Sequence, residues 1–217
     1  AVHCDPGLDP GLDAERPPVA PRHGGGRGQA GLIRRRDIRA ADIPALARLN
    51  DAHAAELNAV GEAGFADLAR GAFRARVAVG EAGRPLGFLL AFAGLPLRGP
   101  NHGWVHRHRP DAVYVDRVAV AAAARGQGIA RRLYEDLAAG LLAAGRCGVG
   151  CEVNLDPPNP GSLAFHARLG FRPVGEARDP RNGKRVLYLF RGAGPGPAAP
   201  PSAGAPPPGP PFGASRS

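Results

Sequence analysis

Hydrophobic positions in the middle of the chain follow two different periods. Between residues 129 and 141 an apolar residue recurs every four positions, which predicts an amphipathic helix that ends at Gly145. Near-continuous apolar runs at 112–120 and 148–154 flank this helix and predict two strands. The pattern therefore predicts a strand–helix–strand unit at the centre of the chain.

The segment before residue 112 predicts five further elements. They are a short strand at 32–36, a helix that Asp42 caps and that runs to about Asn58, a second helix at 65–73, and two strands at 76–79 and 86–92. The last two strands flank a turn with glycine and proline, which is typical of a β-hairpin. Residues 94–111 are basic, contain Trp104 and show no apolar period, so we expect an irregular loop there.

After residue 154 the chain predicts one helix and two closing strands. The helix occupies 162–169 and ends at Gly170, and the strands lie at 171–175 and 185–190. The resulting order, β-α-α-β-β-β-α-β-α-β-β, favours a mixed α/β fold with one sheet and helices on both of its faces.

Proline and glycine are concentrated at the two ends of the chain. The last 26 residues, 192–217, hold nine prolines and six glycines, and the first 30 are similarly biased. Neither end has an apolar period that would bury enough surface to offset the entropy lost on ordering. We therefore predict tails at 1–30 and 192–217 around one folded domain at 31–191.

The net charge, the apolar runs and the cysteine spacing limit the kinds of partner and location that the sequence supports. The net charge is +9, and nearly all of the excess lies in the predicted domain, which suits an anionic partner such as nucleic acid, a membrane or a phosphorylated cofactor. No signal peptide precedes the domain, and no apolar run is long enough to cross a bilayer, so a cytoplasmic protein is expected. The three cysteines show no metal-site spacing, and no metal is expected.

The strongest chemical signal lies where the strand at 112–120 leads into the helix at 129. Gly126 and Gly128 open that helix, where glycine lets the backbone approach a ligand and the helix N-terminus offers unpaired amides. A Walker loop is excluded because the only lysine is Lys184, and a dinucleotide fingerprint fails because Arg131 stands where a small residue is needed. The loop therefore predicts an anion site; a turn that merely joins strand and helix is the alternative.

This loop resembles that of a known family. The pattern Arg125-x-x-Gly128-x-Ala130 is similar to the pyrophosphate-binding motif of GNAT superfamily N-acetyltransferases. The resemblance extends over about 160 residues, 32–191, and includes segments 114–118 and 152–160 shared with a group of uncharacterised GNAT proteins. It implies a GNAT-like mixed, mostly antiparallel sheet of six or seven strands with helices on both faces.

The resemblance also implies acetyl-CoA as co-substrate and a set of residues that would hold it. The strand end would pair with the pantetheine arm through Val118, Ala119 and Val120, with the Val118 N–H as an oxyanion donor. Asn159 matches an asparagine that contacts the cofactor arm, and Ser162 takes a small-residue position. The pyrophosphate would be held by the loop and first helical turn, that is by Arg125, Gly126, Gln127, Gly128, Ile129, Ala130 and Arg131.

Two side chains are candidates for proton transfer. His166 stands where the family usually has a tyrosine that protonates the leaving thiolate, and histidine can donate a proton near neutral pH. A structural histidine is the alternative. For the base, side-chain alternation places Asp116 on the face of Val118 and Val120. A salt bridge of Asp116 with a neighbouring arginine is the alternative, and Glu152 on the next strand ranks below it as a base.

The acceptor side is less determined. Asn50, His53 and Glu56 share one face of the predicted first helix, so they are candidates to line an acceptor pocket or else form a solvated face. Trp104 would form an aromatic wall or pin its loop. The sequence does not identify the acceptor and leaves a homodimer open.

These features together favour an acetyl-CoA-dependent N-acetyltransferase that transfers acetyl directly to an amine. Two alternatives remain: a GNAT-like protein that binds acyl-CoA without catalysis or uses a longer acyl chain, and a basic nucleic-acid-binding module. The arginines are interspersed with acids and no nucleic-acid motif is present, which disfavours the last.

Overall fold

The computed structural model describes residues 33–194. The tail predicted at 1–30 and residues 195–217 of the second tail lie outside the described residues, as does position 32 of the first strand. At the C-terminal end the fold extends slightly past residue 191, because Gly192 pairs with Gly148 and the Ala193 N–H donates to Cys147 O at 2.9 Å.

The described residues form seven strands and six α-helices. The strands are β1 (Arg34–Asp37), β2 (Arg74–Val79), β3 (Pro85–Ala93), β4 (Ala112–Val120), β5 (Gly148–Asn154), β6 (Arg172–Arg178) and β7 (Arg185–Gly192). The α-helices are α1 (Ile43–Asp51), α2 (Ala54–Leu57), α3 (Gly61–Gly71), α4 (Pro100–His108), α5 (Ile129–Ala139) and α6 (Pro160–Arg168). Most of these elements were predicted from the sequence, with bounds that differ by a few residues.

The strands form one seven-stranded sheet in the order β1-β2-β3-β4-β5-β7-β6. All neighbouring pairs are antiparallel except β4 and β5. Successive side chains of β3 enter opposite cores: Leu89 packs with α5, whereas Phe88 and Leu90 pack with α1 and α3. The prediction of a mixed, mostly antiparallel sheet with helices on both faces is therefore confirmed.

The start of α5 rests directly on the sheet. A Cβ at Gly87 on β3 would lie 2.8 Å from the Ala119 carbonyl oxygen and 3.2 Å from Cγ2 of Ile129. Only glycine leaves room for the fully buried Ile129 to pack there, and this contact fixes where the loop before α5 emerges. The helix itself ends at Ala139, earlier than the predicted stop at Gly145.

The pairing of β4 with its two neighbours is irregular in two ways. Against β3, Leu90 pairs with Arg117 but Ala91 pairs with Val115, so Asp116 is the extra residue of a β-bulge. Against β5, only the first three residues of each strand pair, and the last pair is Tyr114 with Gly150. Beyond that pair the two parallel strands separate and leave a fork in the sheet.

Two predictions for the helical regions are wrong. Residues 94–111 are not an irregular loop throughout, because α4 begins at Pro100, a residue suited to a first helical turn, and buries Val105 against the sheet. The first helix does not run to Asn58. It ends at Asp51, whose carboxylate accepts the N–H groups of Val60 and Gly61 and so holds the chain in a turn.

Within residues 33–194, no helix combines the length and the apolar content needed to cross a membrane.

Candidate functional site

The fork between β4 and β5 leaves strand edges without a ladder partner. The residues of β4 beyond Tyr114 face β5 but do not pair with it, and the same holds for β5 beyond Gly150. The side chains of Val118 and Ala119 are fully packed in the two cores, so these residues offer only their backbone to the fork. An extended ligand with amide groups can pair with such an edge as another strand would.

The loop that follows β4 is open to solvent. Gly126 and Gly128 have φ angles of 75° and 71°, a left-handed conformation that favours glycine, and a Cβ on either residue would meet nothing within 4 Å. Gly128 is the N-cap of α5, and the Arg132 N–H donates to its carbonyl at 3.0 Å. The helix amides at 129–131 precede that bond, so they have no acceptor within the helix and lie at its positive end.

These two features fit the two parts of an acyl-CoA. Its pyrophosphate is a compact dianion of the kind that helix N-termini and glycine turns bind, and its pantetheine arm carries amides that can pair with a strand edge. The exposed side chains of Arg125 and Gln127 and the exposed Gly126 surround the open turn. An open turn and an unpaired strand edge are therefore present where the sequence analysis expected the cofactor, while the binding itself and the contacts of the individual loop residues stay predictions.

Asn159 and Ser162 have a structural connection that the sequence did not indicate. Asn159 is the N-cap of α6, and its side-chain Oδ1 accepts the Ser162 N–H at 2.9 Å. Ser162 is completely buried, with its hydroxyl 3.4 Å from Nδ1 of His166. A cofactor contact by either residue remains a prediction.

His166 is a buried, neutral imidazole. Its Nδ1 lies 2.7 Å from the Ser162 carbonyl, which can only accept, so Nδ1 carries the proton and Nε2 accepts from the Tyr134 hydroxyl at 2.9 Å. Burial lowers the pKa of His166 to about 4, against the opposing effect of the Ser162 carbonyl. This geometry favours the structural alternative for His166 over the role of a protonated acid near neutral pH.

The buried imidazole predicts a pH-dependent stability. Because its pKa is lower in the folded than in the unfolded state, the folded protein binds fewer protons between pH 6.5 and about 4. Stability should be unaffected by this group above pH 6.5 and should fall by up to ~1.4 kcal/mol per unit as the pH drops through that window. Urea unfolding at several pH values measures this, and the slope should be shallower for His166→Gln; equal slopes in the two proteins would contradict it.

The bulge changes where Asp116 points, and the prediction from simple alternation is wrong. An extra residue in a strand shifts the side-chain alternation by one position, so Asp116 does not share a face with Val118 and Val120. It lies beside Tyr114 and Arg117 on the wall of a pocket. The Arg117 Nε donates to its Oδ2 at 2.6 Å, so the salt bridge considered as the alternative is present.

This pocket opens on the face of the sheet opposite α5. Its empty volume is about 500 Å³ when the solvent at its open mouth is included, and its walls come from α2, the start of α4, the fork strands and the β6–β7 turn. Most of the lining is polar or charged and includes Glu56, Tyr114, Asp116, Arg117, Glu152 and Asp179. Such a lining suits a polar acceptor with an amine.

Glu152 lies at the buried end of the pocket and is only 3% exposed. Its Oε1 accepts a hydrogen bond from Asn101 Nδ2 at 3.0 Å, and the Tyr114 hydroxyl also donates to its carboxylate. Burial, reinforced by this carboxylate, raises the pKa of Tyr114 well above its usual value, so Tyr114 remains a donor. The sequence ranked Glu152 low, although a lone charge in an otherwise apolar strand is itself a signal.

The residues predicted for the acceptor side are only partly brought together. Glu56 lines the pocket, whereas Asn50 is buried beneath it and accepts from Arg117 Nη1 at 2.9 Å. His53 precedes α2 and does not line the pocket, because the predicted helix is broken there.

Trp104 fixes α4 on the sheet and does not line the pocket. Its ring stacks between Tyr188 and His108, with ring centroids 3.9 Å apart in each case. A Cβ at Gly175 on β6 would come within 2.5 Å of the indole, so this glycine makes room for it. Of the two roles considered for Trp104, the structure shows the second: it anchors its segment.

Comparison with known proteins agrees with this architecture. Residues 47–171 match the family model described as acetyltransferase (GNAT) family. No curated protein sequence matches the chain significantly.

Solved structures have the same fold. Ard1 from Thermoplasma volcanium is similar with a TM-score of 0.59 and 19% identity, over 76% of this chain and 98% of that chain. A GNAT superfamily phosphinothricin acetyltransferase from Sinorhizobium meliloti, in complex with AcCoA, has a TM-score of 0.58 and 23% identity, over 81% of this chain and 96% of that chain. The ribosomal-protein-S18-alanine N-acetyltransferase from Escherichia coli has a TM-score of 0.58 and 16% identity, over 77% and 97% of the two chains. At these identities the likeness concerns the fold.

Proposed function

This chain belongs to the GNAT acetyltransferase family, and on that premise we propose that it transfers an acetyl group from acetyl-CoA directly to an amine. The observation that carries the proposal is the position of the fork in the sheet. One side of it leads to the open glycine turn at the start of α5, and the other to the polar pocket. A donor and an acceptor that enter from these two sides would meet between β4 and β5.

The donor side would act through backbone groups. When bound, acetyl-CoA supplies the acetyl group as an activated thioester. The amides at 126–131 would hold its pyrophosphate, and the fork edges of Val118, Ala119 and Val120 would align its arm. The Val118 N–H is our candidate for the donor that stabilises negative charge on the thioester oxygen.

The acceptor side must supply a neutral amine. An alkyl amine has a pKa near 10.4, so its deprotonation at pH 7 costs roughly 4–5 kcal/mol. Of the four carboxylates that line the pocket, Asp116 and Glu152 lie on the two strands of the fork, where they can lower this cost by accepting the proton, directly or through water. Asp116 is already engaged by the Arg117 guanidinium, whereas Glu152 is held by the neutral donors Asn101 and Tyr114. We therefore favour Glu152 as the base.

The departure of the CoA thiolate needs less assistance from the protein than the deprotonation of the amine does. A thiol has an ordinary pKa near 8.5, so a thiolate leaves far more readily than an alkoxide and needs less help from an acid. A buried, neutral His166 is consistent with a reaction in which no imidazolium donates the proton.

Thiol release from acetyl-CoA against a broad panel of polar amines tests the proposal. We expect release above the acceptor-free background with at least one amine, and no burst of thiol before the amine is added, because the transfer is direct. Acetyl-CoA binding without turnover across the panel, or turnover only with longer acyl chains, would favour the first alternative function. Absence of acetyl-CoA binding, together with salt-sensitive RNA or DNA binding, would favour the basic module.

A further inference from the structure

Asn101 lies at the start of α4 and connects three parts of the fold. It is 4% exposed, and its Nδ2 is 3.0 Å from Glu152 Oε1 on β5 and 3.4 Å from Asp179 Oδ2 in the turn between β6 and β7. Its Oδ1 accepts from the Tyr188 hydroxyl on β7 at 2.9 Å. The side chain therefore bridges two carboxylates that are remote in sequence.

The orientation of this amide follows from the chemistry of its partners. Ionised carboxylates only accept hydrogen bonds, so the NH₂ end must face Glu152 and Asp179, with one hydrogen for each. The oxygen end is then left for the Tyr188 hydroxyl, which donates to it. No other rotation of the amide satisfies all three contacts.

Asp179 is held in its charged form by its own partner. Arg181 donates to both of its carboxylate oxygens at 2.6–3.2 Å, and this bonding lowers the pKa of Asp179 despite its burial. A permanent negative charge close to Glu152 would by itself make Glu152 harder to ionise. The Asn101 amide lies between the two carboxylates and donates to both.

Other groups also face this part of the pocket and contribute to its electrostatics. Strand β4 contributes Tyr114, Asp116 and Arg117, and β7 contributes Tyr188. The β6–β7 turn contributes Arg181 and Lys184. Arg98 and His102 come from the segment around the start of α4, and Glu56 comes from α2. His102 stacks on Tyr114, and burial lowers its pKa, so it adds little positive charge. Among the described residues, Asn101 donates hydrogen bonds from one amide group to both Glu152 and Asp179.

We infer that Asn101 is a positioning residue for Glu152: its amide directs the Glu152 carboxylate into the pocket and separates it from the carboxylate of Asp179. This inference rests on the proposed function, in which Glu152 receives the proton of the acceptor amine. Asn101 connects the Glu152 carboxylate to α4 and to the β6–β7 turn. The base is therefore correctly placed only when both of these elements are packed on the sheet.

The test measures ionisation directly and needs neither acetyl-CoA nor an acceptor. The full chain is labelled with ¹³C-glutamate, the Glu152 carboxyl signal is assigned by its absence in Glu152→Gln, and its titration midpoint is followed by NMR. The variants are Asn101→Leu, which removes the donor, Asn101→Asp, which also adds a charge, and Tyr188→Phe, which frees the amide oxygen. Asn182→Asp adds the same charge to the exposed β6–β7 turn at the rim of the same pocket and is the matched control.

We expect the Glu152 midpoint to move to higher pH by roughly one unit in Asn101→Leu and by roughly two units in Asn101→Asp. Asn182→Asp should move it by less than about a third of a unit, since its charge is exposed and screened. The inference is wrong if Asn101→Asp shifts the midpoint no further than the control does.

The dispersion of the NMR spectrum shows whether each variant folds. If neither Asn101 variant folds, the titration midpoint of Glu152 in Tyr188→Phe is the deciding measurement. A midpoint unchanged from the wild type would then overturn the inference. Where wild-type turnover is found, the acidic limb of kcat/KM should move with the NMR midpoint. An absence of turnover would count against the proposed function and leave the NMR result on Asn101 intact.

Discussion

Replacing Gly128 by aspartate is expected to weaken acetyl-CoA binding about 30- to 100-fold more than replacing it by asparagine. Both residues tolerate the left-handed backbone that Gly128 adopts, and a Cβ there would meet no heavy atom within 4 Å, so the two variants of nearly equal shape carry a similar conformational cost. They differ by one negative charge at the helix N-terminus. Two charges 4 Å apart interact by about 1 kcal/mol in water and about 4 kcal/mol at an effective dielectric of 20, and the exposed turn lies between these limits.

Calorimetric titration of acetyl-CoA into each variant measures the difference. Thermal unfolding should show that both variants keep the fold, since the substitution lies on an exposed turn. The difference should shrink at high salt because the charges are screened. Equal affinities for the two variants at low salt would remove the anion site from the start of α5 and with it the proposed donor site.

Glu152→Gln should lower kcat by about 100- to 10,000-fold, the range for loss of a general base. Glutamine keeps the shape of the side chain, and its amide oxygen can still accept from Asn101 and Tyr114, but it cannot accept the proton of the amine. The dissociation constant of acetyl-CoA should stay within about threefold of the wild-type value, because the residue lies on the acceptor side of the fork. Steady-state kinetics with a saturating amine measure kcat, and calorimetric titration measures the dissociation constant of acetyl-CoA.

Asp116→Asn is the matched control for Glu152→Gln. It makes the same chemical change in the same pocket, on a carboxylate that is already paired with Arg117 at 2.6 Å. We expect kcat to fall less than tenfold. A reversal, in which Asp116→Asn loses most of the activity and Glu152→Gln retains it, would assign the base to Asp116 and leave the proposed reaction in place.

The elements that the sequence predicted best are those that bury a regular apolar stripe. The strands at 112–120 and 148–154 match the structure because near-continuous apolar runs are typical of strands that are buried on both faces, and α5 begins at Ile129 as predicted because its apolar positions recur every four residues. The glycines of the loop were also informative, since a positive φ angle at Gly126 and Gly128 is a local property of the chain. These features sufficed to predict the fold and the open turn on which the proposed donor site rests.

The elements that the sequence missed are held by polar contacts between distant residues. Helix α4 has no apolar stripe, and it is anchored by Asn101 on Glu152 and Asp179 and by Trp104 on Tyr188. The break between α1 and α2 depends on hydrogen bonds from Asn50 and to Asp51 across a turn. Such contacts leave no periodic pattern in the sequence, because each joins one side chain to a partner that lies nearby only in the folded structure.

The sequence by itself determined the seven strands and their order along the chain, the mixed α/β fold and the open turn before α5, since local apolar patterns and backbone conformation are encoded residue by residue. Only the tertiary structure decided the acceptor side. A single bulge turned Asp116 toward Arg117, and packing of α4 and the β6–β7 turn placed Asn101 and Asp179 beside Glu152. Register and long-range packing arise from the whole sheet, so the identity and environment of the carboxylates at the fork are properties of the fold and not of any one segment.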